Sequence, residues 1–384
     1  MKKQYLLLPG PTPVPSQVLR GLAKPMINHR GPEFKKLLAE VSEGLKEVFS
    51  TENDVLIFPS AGTGGMEAAV VNFISPGEKV LVVSIGNFGD RFAEICRRFG
   101  AIVEKLDFPW GTAADPAVLE DRIKKDTNKE IKAVFVTHNE TSTGVTNNLP
   151  KLRAALGDHP ALFIVDSVSG LGAMPLETDA WKLDVVVAGS QKSFMLPPGL
   201  SFVSVSKRAW EKAEKCTNPR YYWDLKAAKE FAQKGQTPYT PALPQLTGLA
   251  ESLKLIKEEG MENIIARHRR LRDMVRSGVR ALGLQLLAED DVASTAVTAV
   301  LAPEGIAADT IRKTLREKFN VVVAGGQNQL KNKIFRIGHL GYVQELDILA
   351  ALAALEMSLA LCGYQLNIGQ GVRAAQEVVM KELA

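Results

Sequence analysis

Cysteine is scarce: three in 384 residues, Cys96, Cys216 and Cys362. They stand far apart, form no CxxC and have no histidines at metal-ligand spacing, which argues against a disulfide scaffold and a structural zinc site. The simplest expectation is a reduced, cytoplasmic compartment and no metal. An excess of one charge is missing too. Forty-seven basic and 43 acidic residues leave a net +4, too little for this length to point to nucleic acid or a membrane surface. The basic stretch "RHRRLRDMVR", residues 267–276, has helical spacing and reads as a solvated helix face. Long apolar runs are also absent. The start, "MKKQYLLLPGP", breaks at Pro9 and is too short for a signal peptide. "ILAALAALEMSLALC" is interrupted by Glu356 and fits a packed helix better than a membrane span.

What is present is a regular alternation. From about residue 54 to 206, seven short apolar runs ("DVLIF", "KVLVVS", "AIVEKL", "KAVFVT", "ALFIVD", "DVVVAG", "SFVSVS") alternate with segments such as "GGMEAAVVNFIS" and "DRFAEICRRF" that carry helical spacing. Near-continuous apolar strands belong in a mostly parallel sheet covered on both faces, which predicts a seven-stranded α/β domain. After "TPYTPALP" (237–244) the pattern changes to long helices over about 245–282, then "TAVTAVLAP", "NVVVAG", "IFRIGH" and a last pair of helices. The expected division is an arm over residues 1–20, a large domain over 21–244 and a smaller α+β domain over 245–384. The arm's prolines predict an ordered segment that is neither strand nor helix.

In open parallel sheets, ligands bind beyond the carboxyl ends of the strands. The residues there are polar: "AGTGG" (61–65), "IGNFGDR" (85–91), "HNETSTG" (138–144), Asp166 and "SQK" (190–192). "SAGTGG" lacks the spacing of an ATP or dinucleotide loop, and reads either as a plain strand-to-helix turn or as a phosphate cradle at a helix start. Asp166 reads either as a turn or cap residue or as the partner of a positive charge in a pocket. Lys192 sits in "VVVAGSQKSFMLPPGLSFVSVS" (185–206), between two apolar strands, one crossover connection after Asp166. Alone it reads as a surface lysine. Together with a carboxylate, a cradle and an apolar pocket it makes the set that pyridoxal phosphate needs: an amine for a Schiff base, an acid for the pyridine nitrogen, a helix end for the phosphate.

Seven motifs in order, "PGPTPVP" (9–15), "SAGTGGMEAA" (60–69), "GNFGDR" (86–91), "HNETSTGV" (138–145), "VDSVSGLGAMPL" (165–176), "AGSQKSFMLPPGLSF" (188–202) and "FRIGHLG" (335–341), carry a family resemblance. The chain resembles, over nearly its whole length, the class V (fold-type I) pyridoxal-phosphate aminotransferases, in particular the alanine–glyoxylate and serine–pyruvate branch. The resemblance implies that Lys192 is the aldimine lysine and Asp166 the partner of the pyridine nitrogen. It also implies that Phe88 stacks on the cofactor ring, that Gly62, Thr63 and Gln191 hold the phosphate, and that Thr141 lies near the phenolic oxygen. Arg336 would bind the substrate carboxylate, for which a guanidinium fork is suited. Gly10 of the arm and Ser169 complete the implied substrate site. Thr240 would reach the phosphate of a neighbouring subunit, making a homodimer the working unit. Ala61 stands where relatives often have serine, so one phosphate contact is expected to be missing.

The implied activity moves the amino group of a small L-amino acid, alanine or serine, to a 2-oxo acid such as glyoxylate or pyruvate. An aspartate donor is the alternative; no second arginine is recognisable by motif as a reader of a distal carboxylate. A cysteine desulfurase would need a cysteine just before Arg336, and "AGGQNQLKNKIF" (324–335) has none. A non-catalytic α/β binding module would leave Lys192 and Asp166 without a task. His339 reads as a structural histidine rather than a proton carrier.

Overall fold

The computed structural model describes residues 3–383. Its strands are β1 (Tyr5–Leu7), β2 (Asp54–Phe58), β3 (Lys79–Ser84), β4 (Ile102–Asp107), β5 (Ile131–Thr137) and the two-residue pair β6 (Asn139–Glu140) and β7 (Val145–Thr146), followed by β8 (Leu162–Asp166), β9 (Val185–Gly189) and β10 (Ser201–Val205). The chain then forms β11 (Val297–Leu301), β12 (Val321–Gly325) and β13 (Ile334–Gly338). The seven apolar runs make one sheet in the order β2-β10-β9-β8-β5-β3-β4. Only β10 runs against its neighbours; the other pairings are parallel. This is the expected mostly parallel α/β architecture.

The two-residue period of a strand explains why these runs are apolar throughout. Leu81, Val83, Val134, Val136, Phe163 and Val165 face one core, with Phe34 and Leu45 of the helix Pro32–Phe49. Their alternates Val80, Val82, Ala133, Phe135, Leu162 and Ile164 face the other, with Met66 and Phe73 of the helix Gly62–Phe73 and Phe92 of the helix Asn87–Arg98. Each fully buried large side chain stabilises the fold by about 1.5–3 kcal/mol. The sheet reverses its winding between β3 and β5, so the carboxyl ends of β3, β5, β8 and β9 open toward one crevice.

The smaller sheet has the order β1-β12-β13-β11. Here the structure corrects the arm. Tyr5–Leu7 pairs in parallel with Val321–Val323, and Ser16–Leu22 is a helix. The prolines at 9, 11, 13 and 15 forbid regular structure only between those two elements. The long helices expected over about 245–282 are Leu243–Glu259 and Met261–Ala281, parted at Gly260 with φ +80°. Leu246, Leu249 and Leu253 pack into the first core of the large sheet. Leu271, Met274, Val275 and Val279 pack with Phe335 and Ile337 of the small one.

The basic stretch 267–276 is a solvated face only in part: Arg269 is exposed and Arg270 and Arg272 are half-buried. Arg267 and Arg276 are buried. Arg267 donates to both oxygens of Glu259 (2.6 and 3.0 Å) and to the carbonyls of Gly341 and Val343. Arg276 donates to Asp290 and to the Ala288 carbonyl. Spacing alone could not show that a second layer of loops covers this side. Glu356, the charge inside the apolar C-terminal run, is also buried and accepts from the N–H groups of Gly369, Gly371 and Val372 at the start of the helix Gln370–Leu383. Among the described residues, no helix is long and apolar enough to cross a membrane.

Candidate active site

The crevice at the carboxyl ends holds a cavity of about 210 Å³. It is where the sequence-predicted residues meet: Gly62, Thr63, Phe88, Thr141, Asp166, Ser169, Gln191 and Lys192 all line it.

Lys192 enters from the turn after β9. Ser190 closes that turn, its hydroxyl donating to the Pro197 carbonyl (2.8 Å) and accepting from the Leu200 N–H (3.1 Å). The Pro-Pro-Gly that follows therefore belongs to a tied loop that reverses the chain into β10. From above, the arm presses on the lysine. Thr12 donates to the Lys192 carbonyl (3.1 Å), and Nζ donates to the Pro9 carbonyl. A Cβ on Gly10 would lie 2.6 Å from Nζ, and its φ is +118°, so glycine is required there. Lys192 is only partly shielded by area but ringed by protein at the cavity floor. Desolvation lowers its pKa to about 8, the Asp166 charge opposing the shift and those of Arg336 and Arg91 adding to it. Burial raises Asp166 to about 6, against the Val168 N–H that it accepts at 2.9 Å.

At the far end, the helix Gly62–Phe73 starts behind Ala61 with no side-chain cap. Its first N–H groups have no partner within the helix. A Cβ on Gly62 would meet Val168 at 2.5 Å, and the Gln191 side-chain oxygen is buried without a hydrogen-bond partner. An uncapped helix start and a glycine at its first position suit a phosphate group, to which Gln191 can turn its amide N–H donors. With Lys192 and Asp166 on the same cavity, these residues fit pyridoxal phosphate.

Phe88 stands one residue inside the helix Asn87–Arg98. Its N–H and that of Gly89 donate to the Glu140 carboxylate (2.9 and 3.2 Å), and Ser142 donates to the other oxygen. Burial raises Glu140 to about 7 despite these donors. Asn139 lines the cavity and locks Ser169, donating Nδ2–H to its hydroxyl at 2.9 Å while its carbonyl accepts from that hydroxyl at 3.1 Å. Arg91 lines the cavity too, over the Phe88 ring at 4.7 Å. Arg91, Asn139 and Glu140 were not singled out from sequence, although each lies inside a quoted motif; nothing in the spacing told which residue of the motif turns inward.

Arg336, in the middle of the small sheet, is buried and donates Nε–H to the Gly325 carbonyl (2.9 Å) and Nη1–H to the Thr141 carbonyl (2.6 Å). Nη2 has no hydrogen bond within the described residues. Burial pulls its pKa down to about 10. His339 is buried between the Thr298 hydroxyl and the Thr295 carbonyl, each at 2.9 Å, and burial pushes its pKa to about 3. It is structural. Thr240 is not brought to this cavity; it stands exposed beside Phe58, Leu200 and Tyr222. Among the described residues, no three His, Cys, Asp or Glu side chains cluster to hold a metal ion.

The family model for class V aminotransferases matches residues 4–343. A 42 kDa subunit named for a soluble hydrogenase of Anabaena cylindrica is 46% identical over 98% of each chain. The serine–glyoxylate aminotransferase of Methylorubrum extorquens is 41% identical over 97% of this chain and 95% of that one. The L-aspartate–glyoxylate aminotransferase of Paracoccus denitrificans is 40% identical with the same coverage. In structure, pyridoxamine–pyruvate aminotransferase of Mesorhizobium loti superposes with a TM-score of 0.94, at 31% identity, over 100% of this chain and 98% of that one. The cavity and these similarities lead to one conclusion: the chain belongs to the class V aminotransferases, enzymes of fold-type I that depend on pyridoxal phosphate.

Proposed function

We propose that the protein transfers the amino group of a small L-amino acid, alanine or serine, to glyoxylate or pyruvate in the cytoplasm. The observation that carries this reading is Lys192 on the cavity with Arg336 next to it, bonded to the carbonyl of the cavity-lining Thr141: a base of pKa about 8 and a carboxylate reader whose Nη2 is free of bonds within the described residues. Bound pyridoxal phosphate supplies an electron sink for the negative charge that develops on the substrate's α-carbon. Arg336 grips the α-carboxylate, held in place by the Gly325 and Thr141 carbonyls. Lys192 Nζ takes the α-carbon proton; a pKa near 8 leaves a useful fraction uncharged at neutral pH. Asp166 holds the charge at the ring nitrogen, and Phe88 gives the ring a flat apolar platform. Gly62, Thr63 and Gln191 would hold the phosphate, and Thr141, on the same cavity, would face the phenolic oxygen. The Pro9–Gly10 arm and Ser169 limit the room and water around the reacting carbon.

Thr240, exposed and outside its own chain's cavity, is in our reading supplied to the site of a second copy in a homodimer. Relatives named for serine, aspartate and ureidoglycine donors to glyoxylate support the acceptor more than the donor. The test is a single half-reaction: holoenzyme mixed separately with L-alanine, L-serine and L-aspartate, without acceptor, following loss of the bound cofactor's visible absorption. Rapid loss with alanine or serine alone is expected; rapid loss only with aspartate overturns the donor assignment.

A further inference from the structure

We infer that Arg91 is the counter-charge for the phosphate group of the cofactor. This goes beyond the donor reading and rests only on the dependence on pyridoxal phosphate. A phosphate monoester brings nearly two negative charges at neutral pH. The cradle identified from sequence offers only neutral donors, with about half a positive charge from the helix end. A dianion taken partly out of water needs more than that. Two cations line the cavity, Lys192 and Arg91; Lys192 donates to the Pro9 carbonyl of the arm and is thereby held away from the cradle.

Arg91 is left over. Its single hydrogen bond runs from Nη1 to the Thr63 hydroxyl at 3.3 Å, directly at the cradle. Among the described residues no carboxylate lies within ion-pairing distance of it, and Asp166 acts on it only through space. The adjacent Asp90 is taken by Lys105 and Ser84 (2.9 and 2.8 Å). Glu140 is taken by Phe88, Gly89 and Ser142, and Asp166 by Val168. The Phe88 ring lies under the guanidinium at 4.7 Å and keeps it in the cavity. Its remaining N–H donors can thus serve phosphate oxygens, replacing the side chain that Ala61 lacks.

The test titrates full-length protein, stripped of cofactor, with pyridoxal phosphate and separately with pyridoxal, which has no phosphate. Arg91→Gln should raise the Kd for pyridoxal phosphate at least about tenfold and leave that for pyridoxal within about twofold. Arg91→Lys, which keeps the charge, should fall between wild type and Arg91→Gln. Equal weakening of both ligands would overturn the inference, because it would mean that Arg91 only props Phe88. An unchanged Kd for pyridoxal phosphate with a raised KM for L-aspartate alone would overturn it too, making Arg91 a reader of a distal carboxylate. A wild type that binds the cofactor but turns over no small donor would sink the donor reading and leave this one standing.

Discussion

Two regions of the molecule bury basic side chains, and they treat them oppositely. On the helix Met261–Ala281, Arg267 and Arg276 are each tied to a carboxylate and to backbone carbonyls. At the cavity and beside it, Lys192, Arg91 and Arg336 form no ion pair within 4 Å among the described residues, and Lys192 and Arg336 are pulled well below their usual pKa values. A buried charge is costly unless paired. The saturated set is therefore architecture, and the under-paired set marks where ligands must supply the missing charge.

The comparison breaks hardest at Lys192. Lys192→Ala should keep the fold, because the variant removes a charge from a poor environment, yet lower turnover by about 10³-fold or more. Circular dichroism and steady-state rates check it, and near-normal turnover would remove the basis for the mechanism. Arg336→Gln comes next: kcat/KM for the amino donor should fall roughly 10²-fold, mostly through KM, with a smaller loss of thermal stability than Arg267→Met, because only the Gly325 and Thr141 carbonyls lose a donor and no carboxylate does. The mirror experiment is Arg267→Met. It leaves Glu259 and two carbonyls without their donor and should cost up to about 3 kcal/mol in urea unfolding while kcat/KM stays within about twofold. If Arg336→Gln unfolds the protein and Arg267→Met spares it, the division between the two regions is wrong.

What sequence could reveal follows the same physics. The large sheet was legible because alternate residues of each strand feed two cores, leaving unmistakable apolar runs. That Lys192 and Asp166 would meet in one crevice was legible through motif resemblance and the rule that ligands bind at strand ends. β1 was not, since its three residues gain their hydrogen bonds from Val321–Val323, more than three hundred positions away. The two long helices after residue 244 were legible too, and Gly260, with φ +80°, is the lone glycine that parts them. Arg267 and Arg276 were misread because charge on a helix face is ordinarily solvated, and only the loops at 288–290 and 341–343 reverse that. Arg91 escaped because its partner Thr63 lies on another helix.

Glu140 tests the comparison most finely, because it is an acid buried between the two kinds of environment. It accepts from Phe88, Gly89 and Ser142 as a structural group would, yet burial still lifts it from 4.5 to about 7, and Arg336 acts on it only through space. Between those two values the folded protein holds a proton that the unfolded chain has released, so stability from this group falls as pH rises. It is fully present below about 4.5 and lost through about 7. The excess in Tm of wild type over Glu140→Gln, which cannot titrate, should accordingly shrink between pH 5 and pH 8. An excess that instead grows with pH would mean that the amide donors and Arg336 outweigh burial, placing Glu140 with the saturated charges of the helix rather than with the strained ones of the cavity.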